Sequence, residues 1–212
     1  MKVLAINGSS RNNGNTAFGI QLMKEELKKE NIEVEVINIG NKAIHQCIDC
    51  KRCFKEKDGE CVFSDDIVND IFKKFKECDG LIIGSPIHFA GMAGGLKAAL
   101  DRLFYINIAM GNQLRHKVGC SFGAVRRAGG IPANNQMNQY LQYAEMIIPT
   151  SNYWNVIYGH AKGDSEQDDE GVRILKNLAQ NMAWTMKLVQ SGKINNINEP
   201  DEIKSPLTSM IR

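Results

Sequence analysis

Ile6-Asn7-Gly8-Ser9-Ser10-Arg11-Asn12-Asn13-Gly14-Asn15-Thr16 stands between a short apolar run, Val3-Leu4-Ala5-Ile6, and a segment in which Ala17, Ile20, Met23 and Leu27 recur at helical spacing. The order is strand, loop, helix. The loop is built of glycine, serine, asparagine and threonine with Arg11, and it holds no acid. Backbone N–H groups at a helix start, and the partial positive charge there, attract a phosphate. Hydroxyl and amide side chains add donors, and Arg11 adds a charge that does not titrate away. The stretch has neither the lysine and spacing of a Walker A loop nor GxGxxG. It reads as a cradle for a terminal phosphate monoester. The plainer alternative is a polar turn in which Asn15 or Thr16 caps the helix.

Outward from this loop, strand and helix signals alternate. Val34 to Ile39 has strand composition, and residues 40–64 form an irregular stretch too long for an ordinary connection, which points to a functional role. Ile67, Val68, Ile71, Phe72 and Phe75 give a helical face behind Ser64, Asp65 and Asp66. Gly80-Leu81-Ile82-Ile83-Gly84 reads as a strand buried on both faces that ends at Ser85-Pro86. A glycine-rich loop over 88–95 leads to a helix carrying Leu96, Ala99, Leu100 and Leu103. Then come a strand at 118–122, a second glycine loop over 123–130, a helix over 134–145 and a last strand region beginning at Met146-Ile147-Ile148-Pro149. Val172, Leu175, Ala179, Met182, Met186 and Val189 follow three-four spacing in the final helix. Residues 193–212 read as a tail, loose or packed on a neighbouring subunit.

Five βα units predict an α/β fold: an open parallel sheet, helices on both faces, one domain over 1–192 with a cysteine-rich insert at 40–64. Ligands of such sheets bind at the carboxyl ends of the strands. Three loops fall there: 7–16, Ser85 to Gly91, and Ser121 to Gly130. The chain of 212 residues carries a formal charge of +2 with 24% charged residues, so no basic excess points to nucleic acid. No apolar run approaches a membrane span, and Met1 leads directly into the first strand, so the expectation is a cytoplasmic protein with neither membrane segment nor signal peptide. In a reducing compartment, clustered cysteines suggest metal or redox chemistry more than structural disulfides.

In the second loop, Pro86 holds Ser85 extended, and Ile87, His88, Phe89, Ala90 and Gly91 then offer backbone donors and acceptors beside an aromatic side chain. Such a ledge suits a flat heteroaromatic ring such as a flavin; the alternative is a plain strand-ending turn. His88 is more simply a hydrogen-bonding or surface group than a catalyst.

Gly8-Ser9-Ser10-Arg11 with Gly14-Asn15-Thr16, then Gly84-Ser85-Pro86-Ile87, then Leu96-Lys97-Ala98-Ala99-Leu100-Asp101-Arg102 together resemble the NAD(P)H-dependent FMN reductase family of flavodoxin-like proteins, over residues 1–190. The resemblance implies a flavodoxin-like three-layer fold with a five-stranded sheet in the order 2-1-3-4-5. It implies FMN, with Ser9, Arg11, Asn15 and Thr16 around the phosphate. Ser85, Pro86, Ile87, His88 and Phe89 would lie along the isoalloxazine, with Ser121, Gly129 and Gly130 nearby. One departure is His88, where many relatives have a tyrosine. Asp101 and Arg102 read as a structural ion pair or helix-capping set. The family also implies a homodimer or homotetramer with FMN near an interface; Tyr153-Trp154-Asn155 and Met182-Ala183-Trp184 would serve either assembly or the core.

Cys47, Cys50 and Cys53 sit at two-residue spacing and Cys61 follows, a number and spacing that suit four-cysteine ligation of a [4Fe–4S] cluster. The set resembles the iron–sulfur flavoprotein branch of the same family, in which electrons pass between cluster and FMN. Structural zinc and thiol-redox or vestigial cysteines remain open. Cys78 and Cys120 lie on apolar segments and read as buried small hydrophobes. Lys51, Arg52, Lys55 and Lys57 would offset cluster charge, meet an acidic carrier or simply be solvated.

The resulting expectation is an FMN-dependent oxidoreductase in which the cofactor carries the redox chemistry and no side chain is assigned catalysis. NAD(P)H or reduced ferredoxin would supply electrons to quinone, oxygen species, free flavin or a protein. The alternatives are a flavodoxin-like carrier, a plain FMN reductase without cluster, and a zinc-stabilised binding module.

Overall fold

Side chains alternate across a strand, so a strand that is apolar throughout has to be covered on both sides. The computed structural model describes residues 1–203; residues 204–212, the end of the expected tail, lie outside the described residues. β1 (Lys2–Asn7) pairs in parallel with β2 (Glu33–Asn38) and with β3 (Gly80–His88). A short β4 (Gly91–Met92) folds back antiparallel on the end of β3. β5 (Val118–Val125) then pairs with β3, and β6 (Val156–Tyr158) with β5, both in parallel. Apart from the β4 hairpin, the order β2-β1-β3-β5-β6 is the expected 2-1-3-4-5 sheet.

Val3, Ala5, Ile82, Cys120 and Phe122 face α1 (Asn15–Lys29) and α6 (Asp169–Ile194). Leu4, Ile6, Leu81 and Ile83 face α3 (Val68–Glu77), α4 (Gly94–Ala109) and α5 (Gly130–Tyr143). Each face therefore has its own apolar layer. Cys78 and Cys120 are buried in these layers as expected, and burial pushes the Cys120 thiol up to about 12.

Several expected boundaries move, among them that of β5, which runs to Val125 rather than Phe122. β3 continues through Ser85-Pro86 to His88, pairing Pro86 with Ala124 of β5. β1 has already ended opposite Gly84, so the missing proline N–H interrupts no ladder on that side. α5 begins at Gly130 rather than Asn134, because Pro132 falls in its first turn, where an N–H has no intrahelical partner to lose. The last strand is split. Ile147 makes an isolated bridge to Val118, Pro149 follows, and the chain leaves the sheet until Val156.

The 40–64 insert is irregular apart from α2 (Arg52–Glu56), and two side chains fasten it to the core: Asn69 of α3, which accepts from the Cys61 N–H at 2.8 Å and donates to the Phe63 carbonyl at 3.2 Å, and Arg102. Arg102 of α4 is fully buried and pairs with Asp66. Its guanidinium also donates to the carbonyls of His45 at 3.3 Å and Phe63 at 3.1 Å, and to Cys61 Sγ at 3.1 Å. The Phe63 ring lies 5.3 Å from the guanidinium and stacks on His45 at 4.4 Å. The expected Asp101–Arg102 pair does not form, since adjacent helical residues point apart. Asp101 instead accepts from Lys97 at 2.9 Å and pairs with the Tyr140 hydroxyl.

Burial alone would push the Asp66 carboxyl up, but Arg102 and the Val68 and His45 N–H groups outweigh it and hold it below the ordinary carboxylate range. Its contribution to stability is fully present above the unfolded value near 3.9 and is lost as pH falls through the folded value. Asp66→Ala leaves a buried cation unpaired and is expected to lower unfolding free energy by about 3–5 kcal/mol. Asp66→Asn, which keeps an acceptor oxygen, should cost less. Urea denaturation checks both; a loss below about 1 kcal/mol for Asp66→Ala would show that the pair does not anchor the insert.

Candidate flavin cavity and cysteine site

The loops after β1, β5 and β6 and the end of β3 meet at the carboxyl edge of the sheet around a cavity of about 360 Å³. The first loop is curled by its own side chains. Asn7 Oδ1 accepts from the Ser9 N–H at 3.0 Å and Ser9 Oγ from the Arg11 N–H at 3.1 Å. Asn7 Nδ2 in turn donates to Asn38 Oδ1 at 2.8 Å, which fixes the loop against β2. Gly40 passes so close that a Cβ there would overlap the Ser9 carbonyl carbon.

α1 starts at Asn15 with Gly14 as its N-cap; no side chain caps it and no acid lies in its first turn. The plainer reading, with Asn15 or Thr16 as cap, therefore does not hold. Both residues lie within the helix. Ser9, Ser10, Arg11, Asn15 and Thr16 all line the cavity. Asn15 Nδ2 donates to the Ala161 carbonyl at 3.0 Å, while its buried Oδ1 has no partner within the protein. An uncapped helix start, an arginine and an unpaired acceptor suit a phosphate ester that also carries hydroxyl groups.

Pro86, Ile87 and His88 line the adjoining wall at the end of β3. Ser85 does not line the cavity: it is buried, accepts from the Ala93 N–H at 3.0 Å and donates to the Pro86 carbonyl at 2.8 Å. Phe89, in the left-handed region with φ 50°, stands fully exposed outside the lining. Ser121 is likewise buried, 2.7 Å from the amide oxygens of Asn134 and Asn138. Gly129 has φ 87°, and a Cβ on it would lie 2.6 Å from Ala90 Cα, so glycine lets the β5 loop close against the β3–β4 hairpin. At Gly130 a Cβ would meet Val156 Cγ1 at 2.8 Å. Ser85, Ser121, Gly129 and Gly130 thus do not line the cavity.

Arg126 and His160 also line the cavity, although no sequence motif marks either. Arg126 lies in the glycine loop after β5; His160 follows a strand of only three residues, too short to show a pattern. The His160 segment is held by Asp164, whose carboxylate accepts from Ala161 N–H at 2.7 Å and His160 N–H at 2.9 Å. Those bonds keep the Asp164 carboxyl below its ordinary range.

Away from this cavity, Cys47, Cys50, Cys53 and Cys61 line one small cavity of about 20 Å³ together with Arg102 and Tyr105. All four are free thiols; Cys50 is exposed and the others half-buried. Burial pushes the Cys53 thiol up. Among the described residues, no group of three or more His, Cys, Asp or Glu side chains is arranged to hold a single metal ion. The four thiols share a cavity without converging on one point. Lys51 pairs with Asp49 at 2.6 Å and Arg52 with Asp58 at 2.7 Å, so both cations have carboxylate partners. No described helix is long and apolar enough to cross a membrane.

Residues 1–161 match the profile described as NADPH-dependent FMN reductase. An iron-sulfur flavoprotein of Methanocaldococcus jannaschii is 37% identical over 197 residues, covering 90% of this chain and 100% of its own length. An iron-sulfur flavoprotein of Methanosarcina thermophila is 26% identical, covering 91% of this chain and 99% of its own. Among solved structures, RosB with a bound 8-demethyl-8-formylriboflavin-5'-phosphate superposes with TM-score 0.71 at 17% identity, covering 100% of this chain and 92% of its own. An archaeal flavodoxin superposes with TM-score 0.56 at 16% identity, covering 88% and 99%. At those identities the two structures speak for the fold. The sequence matches speak for more: the chain belongs to the NADPH-dependent FMN reductase family of flavodoxin-like oxidoreductases, in its iron–sulfur flavoprotein branch.

Proposed function

We propose that the protein takes electrons from NAD(P)H or reduced ferredoxin and passes them through FMN, with a [4Fe–4S] cluster on Cys47, Cys50, Cys53 and Cys61, to a small-molecule or protein acceptor. The observation that carries the flavin part is the uncapped start of α1 beside Arg11 in a cavity at the carboxyl edge of the sheet. Ser9, Arg11, Asn15 and Thr16 would hold the phosphate, with Arg126 and His160 lining the same cavity. Pro86, Ile87 and His88 would lie along the ring, with the exposed Phe89 at the rim. FMN, when bound, supplies both hydride acceptance and single-electron transfer. The side chains bind and orient it, and none is assigned a proton-transfer role.

The cluster reading is supported by four thiols lining one cavity and by the names of the full-length relatives. We place the protein in the cytoplasm as a homodimer or homotetramer. Tyr153, Trp154 and Trp184 are exposed and available for assembly, whereas Met182 and Ala183 are core residues.

Arg11→Ala removes a charge-assisted contact of about 1.5–3 kcal/mol and is expected to weaken FMN binding tenfold or more, with riboflavin binding changed little. Fluorescence titration with both flavins reads this. Equal FMN affinity in the two proteins would take Arg11 out of the site.

Steady-state oxidation of NADH and NADPH by flavin-replete protein, with quinone, ferricyanide and free FMN as acceptors, separates a reductase from a carrier. Sustained turnover is expected with at least one donor. Negligible turnover with both donors and all three acceptors would reject direct pyridine-nucleotide oxidation in favour of a protein donor.

A further inference from the structure

Arg102 does more than fasten the insert. Its Nε donates to Cys61 Sγ at 3.1 Å, while its other nitrogens are committed to Asp66 and to the His45 and Phe63 carbonyls. The side chain is fully removed from solvent, so its charge is little screened. Among the described residues, no other side-chain cation donates to any of the four clustered thiols. The nearby Lys51 and Arg52 are engaged by Asp49 and Asp58. Cys61 is therefore electrically unlike Cys47, Cys50 and Cys53. It carries a fixed N–H donor with permanent positive charge, locked in direction by a planar fork that has no freedom to turn away.

We infer that Arg102 is a positioning residue that both seats Cys61 as the fourth sulfur ligand and sets the reduction potential of the cluster through its bond to that sulfur. This rests on the four-cysteine cluster reading above. The direction follows from charge. One-electron reduction adds negative charge to the cluster; a donor and a cation at a ligand sulfur stabilise the reduced state and raise the potential. Asp66 opposes this through its own negative charge while holding Arg102 in place. The two partners of one ion pair thus act on the potential with opposite sign. A merely structural role for the pair predicts shifts in the same direction when either partner is changed, since either change loosens the same segment.

The test is an EPR-monitored redox titration of full-length, anaerobically reconstituted protein, with iron per chain measured on the same samples. The proteins compared are wild type, R102K and D66N. R102K keeps a positive charge at the position but loses the guanidinium fork. The expected result is a lower potential for R102K, by a tenfold shift in the one-electron equilibrium, which is 59 mV. D66N is expected to move it upward. R102K and D66N both within threefold of wild type, or both shifted the same way, would overturn the assignment while leaving the cluster reading intact. Should R102K fail to retain iron, D66N decides: a rise supports the assignment, and no change or a fall overturns it. Wild-type protein that takes up no iron after reconstitution would instead overturn the cluster reading, and this inference with it.

Discussion

A parallel sheet buried on both faces leaves its chain few places to be polar. Leu4, Ile6, Leu81 and Ile83 are closed off on one side, and Val3, Ala5, Ile82 and Phe122 on the other. Every connection that follows a strand must then emerge at the same edge, where backbone donors are not consumed by a neighbouring strand. The loops after β1, β5 and β6 and the end of β3 come from distant parts of the sequence and still enclose one cavity. The polar loop at the start of the chain gains its meaning from that constraint. Elsewhere it would be a turn; at the carboxyl edge it presents an uncapped helix start and Arg11 to whatever enters.

The cysteine insert follows a different logic. It has little regular structure of its own, and its place depends on polar contacts reaching out from the core. Arg102 sits on a helix that the sheet already needs for its apolar face, so attaching the insert requires no new element. A buried ion pair adds little net stability over apolar packing, but it specifies one geometry. Specificity is what the proposed four-cysteine ligand set would need, since a misplaced sulfur would cost it the cluster.

The fold was largely legible because its strands are short apolar runs alternating with amphipathic segments, and that pattern survives without knowledge of contacts. Boundaries were less so. Pro86 inside β3 reads as a terminator because a proline breaks a central strand, yet β3 has lost its β1 neighbour there. Pro132 hid the first turn of α5 for the same kind of reason. In the site, Ser9, Arg11, Asn15, Thr16 and residues 86–88 came from contiguous polar or glycine-rich stretches beside strands. Arg126 and His160 are single residues whose relevance arises only when β5 and β6 are placed side by side. Ser85 and Ser121 look like ligand contacts in sequence, but their hydroxyls are used inside the protein. Asp66 as the partner of Arg102 lies 36 residues away, a pairing no local pattern encodes.

The proposal that one chain holds both FMN at the sheet edge and an iron–sulfur cluster on its insert can be read from a single sample. Its most direct test is an absorption spectrum of anaerobically purified protein with iron, zinc and flavin quantified on the same sample. The account predicts flavin bands over a broad blue absorption, one FMN and about four irons per chain. Flavin without iron after reconstitution, or zinc in place of iron, would contradict the cluster. Protein that takes up no flavin when FMN is added would contradict the account as a whole.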